Sequence, residues 1–370
     1  MLLPRTPEEW QPLRMAQFLN GHLENVGKVV KKKLKKALAF KDLEREDSFV
    51  WPPREGGEGE TVVTPFSYHY QPSVADFFIM AAMLPILPLR MLLAGIAILV
   101  AWLAAKAALY NMPPQVANAA PFTGWRHGCR VIILACARLL FFACAIQRIE
   151  YVGETKFQES AVAPVLICAP HVSYLDAFIS GVMSIMPVMK AQAAKAPFFG
   201  PFLTALQPIY VDREIRESRT NTKDTLIKRC SDEKGVWPPV LIFPEGTTSN
   251  GQCLFKFKLG AFYPGQPIQM TSIEYRSCMS TWNPLIMAWD PAVPVWVSIL
   301  YLFLQPHITA RIHIQPVYHP SPEEREDPQL FAHNVQKQMS EYLDIPATDF
   351  TYENVREFLR ARRAAKRKST

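Results

Sequence analysis

Among the seven cysteines of this 370-residue chain no two are separated by only two residues. The ligand pair of a zinc site and the dithiol of a redox motif are therefore both missing at their usual spacing. Cys129, Cys136 and Cys144 recur at helical spacing inside an apolar stretch and read as small buried hydrophobes of a reduced compartment. No Asn-x-Ser/Thr sequon occurs, so nothing argues for lumenal or extracellular exposure. There is no Gly-x-Ser-x-Gly elbow, the usual turn that presents a serine nucleophile. Glycine is scarce, 16 residues against 32 prolines, and 49% of the residues are hydrophobic, so the chain is neither collagenous nor broadly disordered. It can bury one core of about 200 residues, and the excess of apolar sequence points to a partly membrane-embedded enzyme or adaptor.

Positive charge is in excess: 40 Lys and Arg against 33 Asp and Glu give a net +7, which favours anionic partners such as nucleic acid, acidic headgroups or phosphorylated cofactors without choosing among them. Leu23, Val26, Val30, Leu34 and Leu38 fall at three- and four-residue steps among Lys31, Lys32, Lys33, Lys35 and Lys36. That pattern predicts a basic amphipathic helix, either solvated or attracted to anionic lipid. Residues 54–60 read as linker. Residues 77–105 are almost uniformly apolar, and as one straight helix would cover about 43 Å against a hydrocarbon core of about 30 Å. Pro85, Pro88 and Arg90 interrupt the stretch, so a kinked or re-entrant insertion competes with a plain span. A second apolar helix is predicted over residues 131–146, with Arg130, Arg138 and Arg148 roughly on one face. Basic flanks on both sides predict a membrane-dipping pair with both ends cytosolic.

Beyond Ile149 the texture changes to short apolar runs separated by helical patterns. Residues 165–169, 209–211, 240–243, 268–273 and 310–317 read as strands, which predicts an α/β layer fold. A third apolar tract, residues 285–304, carries Trp289 and Trp296 and is broken by Pro291 and Pro294. It suits core packing or an interfacial aromatic flap equally. The tail from Arg356 to Lys368 is basic and helix-permissive.

Three strand ends carry candidate chemistry. Ala169-Pro170-His171-Val172-Ser173-Tyr174-Leu175-Asp176 follows the first strand. On one straight helix His171 and Asp176 would point apart. They meet if His171 lies in the strand-to-helix turn and Asp176 in the first helical turn, where its carboxylate can hold the imidazole tautomer. A plainer reading makes Asp176 half of a capping box begun by Ser173. Phe243-Pro244-Glu245-Gly246-Thr247-Thr248-Ser249-Asn250 sets a carboxylate, a glycine turn and hydroxyls at another strand end, where open α/β sheets gather ligands. Arg213 follows the strand at 209–211 and is suited to bidentate phosphate contact.

Taken in order, His171-x4-Asp176, the Arg213 block, Phe243-Pro244-Glu245-Gly246 and Pro264-Gly265-Gln266-Pro267-Ile268 resemble the glycerolipid acyltransferase superfamily that includes the 1-acylglycerol-3-phosphate acyltransferases. Ala169-Pro170-His171, Glu245 to Asn250, Lys256 to Phe262 and Gln315-Pro316-Val317-Tyr318 look like its lysophosphatidylcholine acyltransferase branch. The similarity covers roughly residues 77–351. One departure is Gln207, where the wider family often has glycine at the start of the second block.

The resemblance implies a mixed α/β sheet flanked by helices and preceded by membrane-embedded helices. Its divisions are an N-terminal region 1–75, a membrane-embedded region 76–147, a catalytic domain 148–325 and a helical basic tail 326–370. It implies transfer of an acyl group from acyl-CoA to the free, sn-2 hydroxyl of a lysophospholipid. His171 and Asp176 are the catalytic pair, while Arg213, Glu245, Gly246, Thr247 and Thr248 bind substrate. Acyl-CoA is a co-substrate, no bound cofactor or metal is expected, and the partners are lysophospholipid and bilayer rather than nucleic acid. The implied setting is the endoplasmic reticulum membrane with the catalytic domain in the cytosol, or a lipid droplet surface. Several branch members continue into EF-hands and this chain does not, so calcium regulation through such a module is not expected. Acceptors such as lysophosphatidic acid, or acetyl transfer to an ether lysolipid, remain open, as does a non-catalytic membrane scaffold.

Overall fold

The structure, a computed structural model, describes residues 48–50, 61–63, 73–112, 114–153, 163–176, 183, 185–196, 199–211, 216–231, 237–277 and 295–368. The chain divides into two compact units after Thr64. In the first, β1 (Ser48–Val50) pairs antiparallel with β2 (Thr61–Val63). The basic helix predicted over residues 23–38 and the linker at 54–60 lie outside the described residues.

The second unit opens with α1 (Val74–Met83), whose start is set by a capping box. Ser73 Oγ accepts from Asp76 N and Asp76 Oδ2 accepts from Ser73 N, satisfying two donors the helix leaves unpaired. The apolar stretch predicted over residues 77–105 is two helices rather than one. A turn at 84–86 separates α1 from α2 (Leu87–Ala108). Pro85 lies in that turn, and Pro88 falls in the first turn of α2, where a missing N–H costs nothing. After the short α3 (Pro114–Ala117) comes α4 (Gly124–Ala143). It starts and ends earlier than the 131–146 pattern suggested, because Ala145 takes a left-handed φ of 67° and the chain turns into a strand at Ile146. Arg148 therefore lies beyond the helix, paired with Glu150 at 2.9 Å, while Arg138 donates to the carbonyls of Ile146 and Gln147.

The sheet elements follow: β3 (Ile146–Gly153), β4 (Val165–Cys168), β5 (Met186–Lys190), α5 (Phe199–Ala205), β6 (Ile209–Val211), α6 (Arg216–Cys230), β7 (Val240–Ile242), β8 (Ile268–Ser277), α7 (Val295–Phe303) and β9 (Ile308–Tyr318). After them come α8 (Pro322–Glu326), α9 (Pro328–Leu343) and α10 (Tyr352–Lys368). The seven strands lie in the order β3-β9-β8-β4-β7-β5-β6, parallel throughout except where β9 runs antiparallel to β8. This is the α/β layering that the sequence pattern predicts and the mixed, helix-flanked sheet that the family resemblance implies.

Alternation in β4 sends Leu166 and Cys168 to one face and Val165 and Ile167 to the other. The first face joins a core with Phe141, Val172, Ile308 and Ile312; the second joins Phe262, Phe331, Val335 and Met339. The last three belong to α9, so a segment that reads as tail supplies part of the core. Two strands of the seven-stranded sheet were missed, β3 and β5, as were β1 and β2 of the first unit. Strand β5 contains Pro187, which counts against strand in a sequence reading, and β3 is a half-buried edge. In the 285–304 tract residues 295–304 are described, and they divide between both readings: Val297, Leu302 and Phe303 are buried while Trp296 and Ile299 are exposed.

Along one side α2 presents Ala94, Ala97, Ala101, Ala104, Ala105 and Ala108, all buried. Leu87, Leu93 and Ala94 join the sheet core, Ala97 and Ala101 pack with Cys136 of α4 and Phe202 of α5, and Ala104, Ala105 and Ala108 share a cluster with Ala205 and Leu206. The helix is thus seated on the sheet unit from end to end. Arg90, an isolated cation in the sequence, donates to the carbonyls of Phe303 (2.7 Å), Gln305 (2.5 Å) and Pro306 (3.2 Å). It caps the C-terminus of α7, where a cation also meets the negative end of the helix dipole.

Candidate active site

Strands β4 and β7 are parallel neighbours, so the segments leaving their C-terminal ends emerge side by side. From β4 the chain passes through a cis Ala169–Pro170 peptide into the His171 turn. His171 Nδ1 lies 2.8 Å from Asp176 Oδ2. The same oxygen accepts the backbone N–H groups of Val172 (2.9 Å) and Ser173 (3.0 Å). Capping and tautomer control are therefore both performed by one carboxylate, which the three donors anchor before any substrate arrives. The Asp176 side chain is fully buried and that of His171 is 15% exposed. With Nδ1 occupied, Nε2 is the ring nitrogen left for a substrate proton. The imidazole stacks on Phe243 at 4.0 Å between ring centroids and 20° between planes.

From β7 the Phe243-to-Asn250 segment folds over the same turn. Glu245 is fully buried; Oε2 accepts His171 N at 2.6 Å and Oε1 accepts Phe255 N at 2.9 Å. Ser249 N donates back to His171 O at 2.9 Å. Gly246 has φ 67°, a left-handed turn that favours glycine, and a Cβ there would come within 3.0 Å of the Lys258 side chain. Burial pushes the Glu245 carboxyl up to about 7, an effect the two N–H donors oppose. Thr247 and Thr248 are half-buried at the rim of this turn, with Thr247 Oγ1 3.5 Å from Thr248 O.

The structure thus brings together His171, Asp176, Glu245, Gly246, Thr247 and Thr248; Arg213 lies outside the described residues. Glu245 faces inward onto backbone N–H groups, so it shapes the His171 turn from below. Sequence reading missed Tyr275 on β8, whose hydroxyl lies 2.6 Å from Asp176 Oδ1. Its one signal is a polar-tipped aromatic in a buried strand, a residue that normally finds a hydrogen-bond partner. No cluster of three or more His, Cys, Asp or Glu side chains able to hold a metal ion occurs among the described residues.

Residues 148–270 match the acyltransferase family model, so the chain contains a domain of that family. Within it the similarity runs to the lysophosphatidylcholine acyltransferase branch. The chain is 35% identical to human lysophosphatidylcholine acyltransferase 1 over 272 residues, 73% of this chain and 49% of that protein. It is 35% identical to human lysophosphatidylcholine acyltransferase 2 over 279 residues, 75% and 49% respectively. It is 33% identical to the lysophosphatidylcholine acyltransferase of Drosophila melanogaster over 313 residues, 82% and 56%. The chain spans about half the length of these relatives. Among solved structures, the 1-acyl-sn-glycerophosphate acyltransferase PlsC of Thermotoga maritima aligns with a TM-score of 0.40 and 16% identity over 69% of this chain and 98% of that one.

Proposed function

We propose that this chain transfers an acyl group from acyl-CoA to the free sn-2 hydroxyl of a lysophospholipid, with lysophosphatidylcholine as the leading acceptor. The observation that carries the reading is the buried Asp176 carboxylate holding His171 Nδ1 at 2.8 Å at a strand end. His171 Nε2 takes the hydroxyl proton as the oxygen attacks the thioester carbonyl; the carbon–sulfur bond breaks, and the proton passes on to the departing CoA thiolate. Thiolate is a good leaving group, so no covalent acyl-enzyme is required. Glu245 keeps His171 in place and the Gly246–Thr248 turn borders the acceptor, while Arg213 binds phosphate of the lysolipid or of CoA. The names of the similar proteins support the choice of acceptor class.

The setting proposed is a membrane surface, with the catalytic unit on the cytosolic side of the endoplasmic reticulum. Support comes from the outer face of α2, where Leu89, Leu92, Ile96, Leu99, Val100 and Leu103 are exposed, and α2 is long and apolar enough to cross a bilayer. Its other face is seated on the sheet unit along the whole length, about 33 Å. A helix flanked by protein throughout suits lying along the membrane better than crossing it. Both substrates carry acyl chains, and those chains reach the strand ends most cheaply from lipid.

The test is release of CoA thiol by the full chain in detergent micelles with lysophosphatidylcholine, alongside a panel of other lysolipids. His171→Ala should lower turnover by about 10²–10⁴-fold. Wild-type turnover in that variant would overturn the mechanism, and activity confined to lysophosphatidic acid would overturn the acceptor.

A further inference from the structure

The two oxygens of Asp176 have unequal company. Oδ2 accepts three hydrogen bonds, from His171 Nδ1 and the N–H groups of Val172 and Ser173. Oδ1 faces β8, where the Tyr275 hydroxyl lies at 2.6 Å. Asp176 is 0% and Tyr275 6% exposed, so water does not substitute for the phenol, and a buried carboxylate oxygen stripped of its donor is costly. The terminal torsion of an aspartate is broad, and these three donors pin it through Oδ2 alone. The Tyr275 hydroxyl holds the same group from the other oxygen and draws on its charge.

We propose that Tyr275 is a positioning residue for acyl transfer: its hydroxyl, donating to Asp176 Oδ1, holds the carboxylate that orients His171 from its second oxygen and withdraws part of its charge, so tuning the proton affinity of the imidazole. This rests on the reading of His171 as the general base. Burial and the Asp176 charge push the Tyr275 phenol well above its ordinary range, which keeps it protonated and a donor. The other titratable groups facing the pair are Cys168 at the end of β4, Tyr174 in the turn itself and Glu245 beyond β7. Cys168 and Tyr174 are held neutral by burial. Glu245 titrates close enough to neutrality to need a control.

The experiment compares wild type, Tyr275→Phe, Glu245→Gln and His171→Ala as full chains in micelles, with lysophosphatidylcholine and acyl-CoA, measuring kcat, KM, melting temperature and the pH profile of kcat. Phenylalanine removes the hydroxyl and leaves the ring. Expected for Tyr275→Phe is a fall in kcat of about tenfold, equivalent to about 1.4 kcal/mol, with KM nearly unchanged. The acidic limb should move to higher pH by about half a unit, because an Asp176 that carries more charge stabilises the imidazolium. Glu245→Gln shows whether that limb belongs to Glu245; a limb abolished by Glu245→Gln assigns the titration elsewhere and overturns the tuning. A kcat loss with an unmoved limb and a lowered melting temperature would mark Tyr275 as structural and overturn the proposal. Inert His171→Ala beside a Tyr275→Phe variant that behaves as wild type would remove Tyr275 alone. Active His171→Ala would remove the base, and the Tyr275 role with it.

Discussion

Substituting Gln207 by alanine and by glycine separates two opposing effects at one position. Its backbone φ is 56°, a left-handed conformation that costs a residue with a Cβ about 1–2 kcal/mol. Glycine would avoid that cost, and glycine is what the wider superfamily often carries here. Against it stands a fully buried side chain. Gln207 Nε2 donates to the carbonyls of Ala117 and Ala120, each at 2.7 Å, and Oε1 accepts Phe122 N at 3.0 Å. The amide thus clamps the connection between α2 and α4 to the start of β6. Three bonds at about 1 kcal/mol each come to about 3 kcal/mol. Gln207→Ala forfeits them and keeps the unfavourable φ, for a loss of about 3 kcal/mol. Gln207→Gly forfeits them and recovers about 1 kcal/mol. Arg229, which donates to Gln207 O at 3.0 Å and Asn118 O at 2.9 Å, keeps both backbone acceptors in either variant. Thermal unfolding of the full chain in detergent should read losses of about 6 °C for alanine and about 4 °C for glycine, at about 2 °C per kcal/mol. A glycine variant melting at or above wild type would refute the reasoning, since the clamp would then contribute nothing beyond the backbone cost.

Glu245 should leave a signature in stability against pH. Its carboxyl is raised in the folded state from the ordinary 4.5 to about 7, so its contribution is complete below pH 4.5 and is lost as pH climbs through about 7. Glu245→Gln should flatten the fall in unfolding midpoint between about pH 5 and about pH 7.5, a difference bounded by about 3 kcal/mol; parallel falls in both proteins would contradict the assignment. For the membrane face, the double change Ile96→Asp and Leu99→Asp should weaken co-sedimentation with phosphatidylcholine vesicles by at least about tenfold while far-ultraviolet circular dichroism stays unchanged. Undiminished vesicle binding would separate the exposed α2 face from membrane attachment.

The features legible in the amino-acid order alone were local. The alternation and apolar runs marked β4, β6, β7, β8 and β9, because side-chain period and turn residues act within a few positions. His171 and Asp176 are five residues apart and meet inside a single turn, a pairing that spacing allowed beside a plain capping role and that the family resemblance favoured. The Phe243-to-Asn250 block could be placed at a strand end from the same short-range pattern. The remaining contacts join partners distant along the chain and came from the fold: Glu245 is 74 residues from the His171 N–H it holds, Tyr275 is 99 from Asp176, and Arg90 is 213 from the Phe303 carbonyl it caps. Those pairings follow from strand order, which sets β8, β4 and β7 side by side through hydrogen bonds that no short window of sequence contains. Burial completes the selection, since a polar atom withdrawn from water takes whatever partner the fold brings within reach.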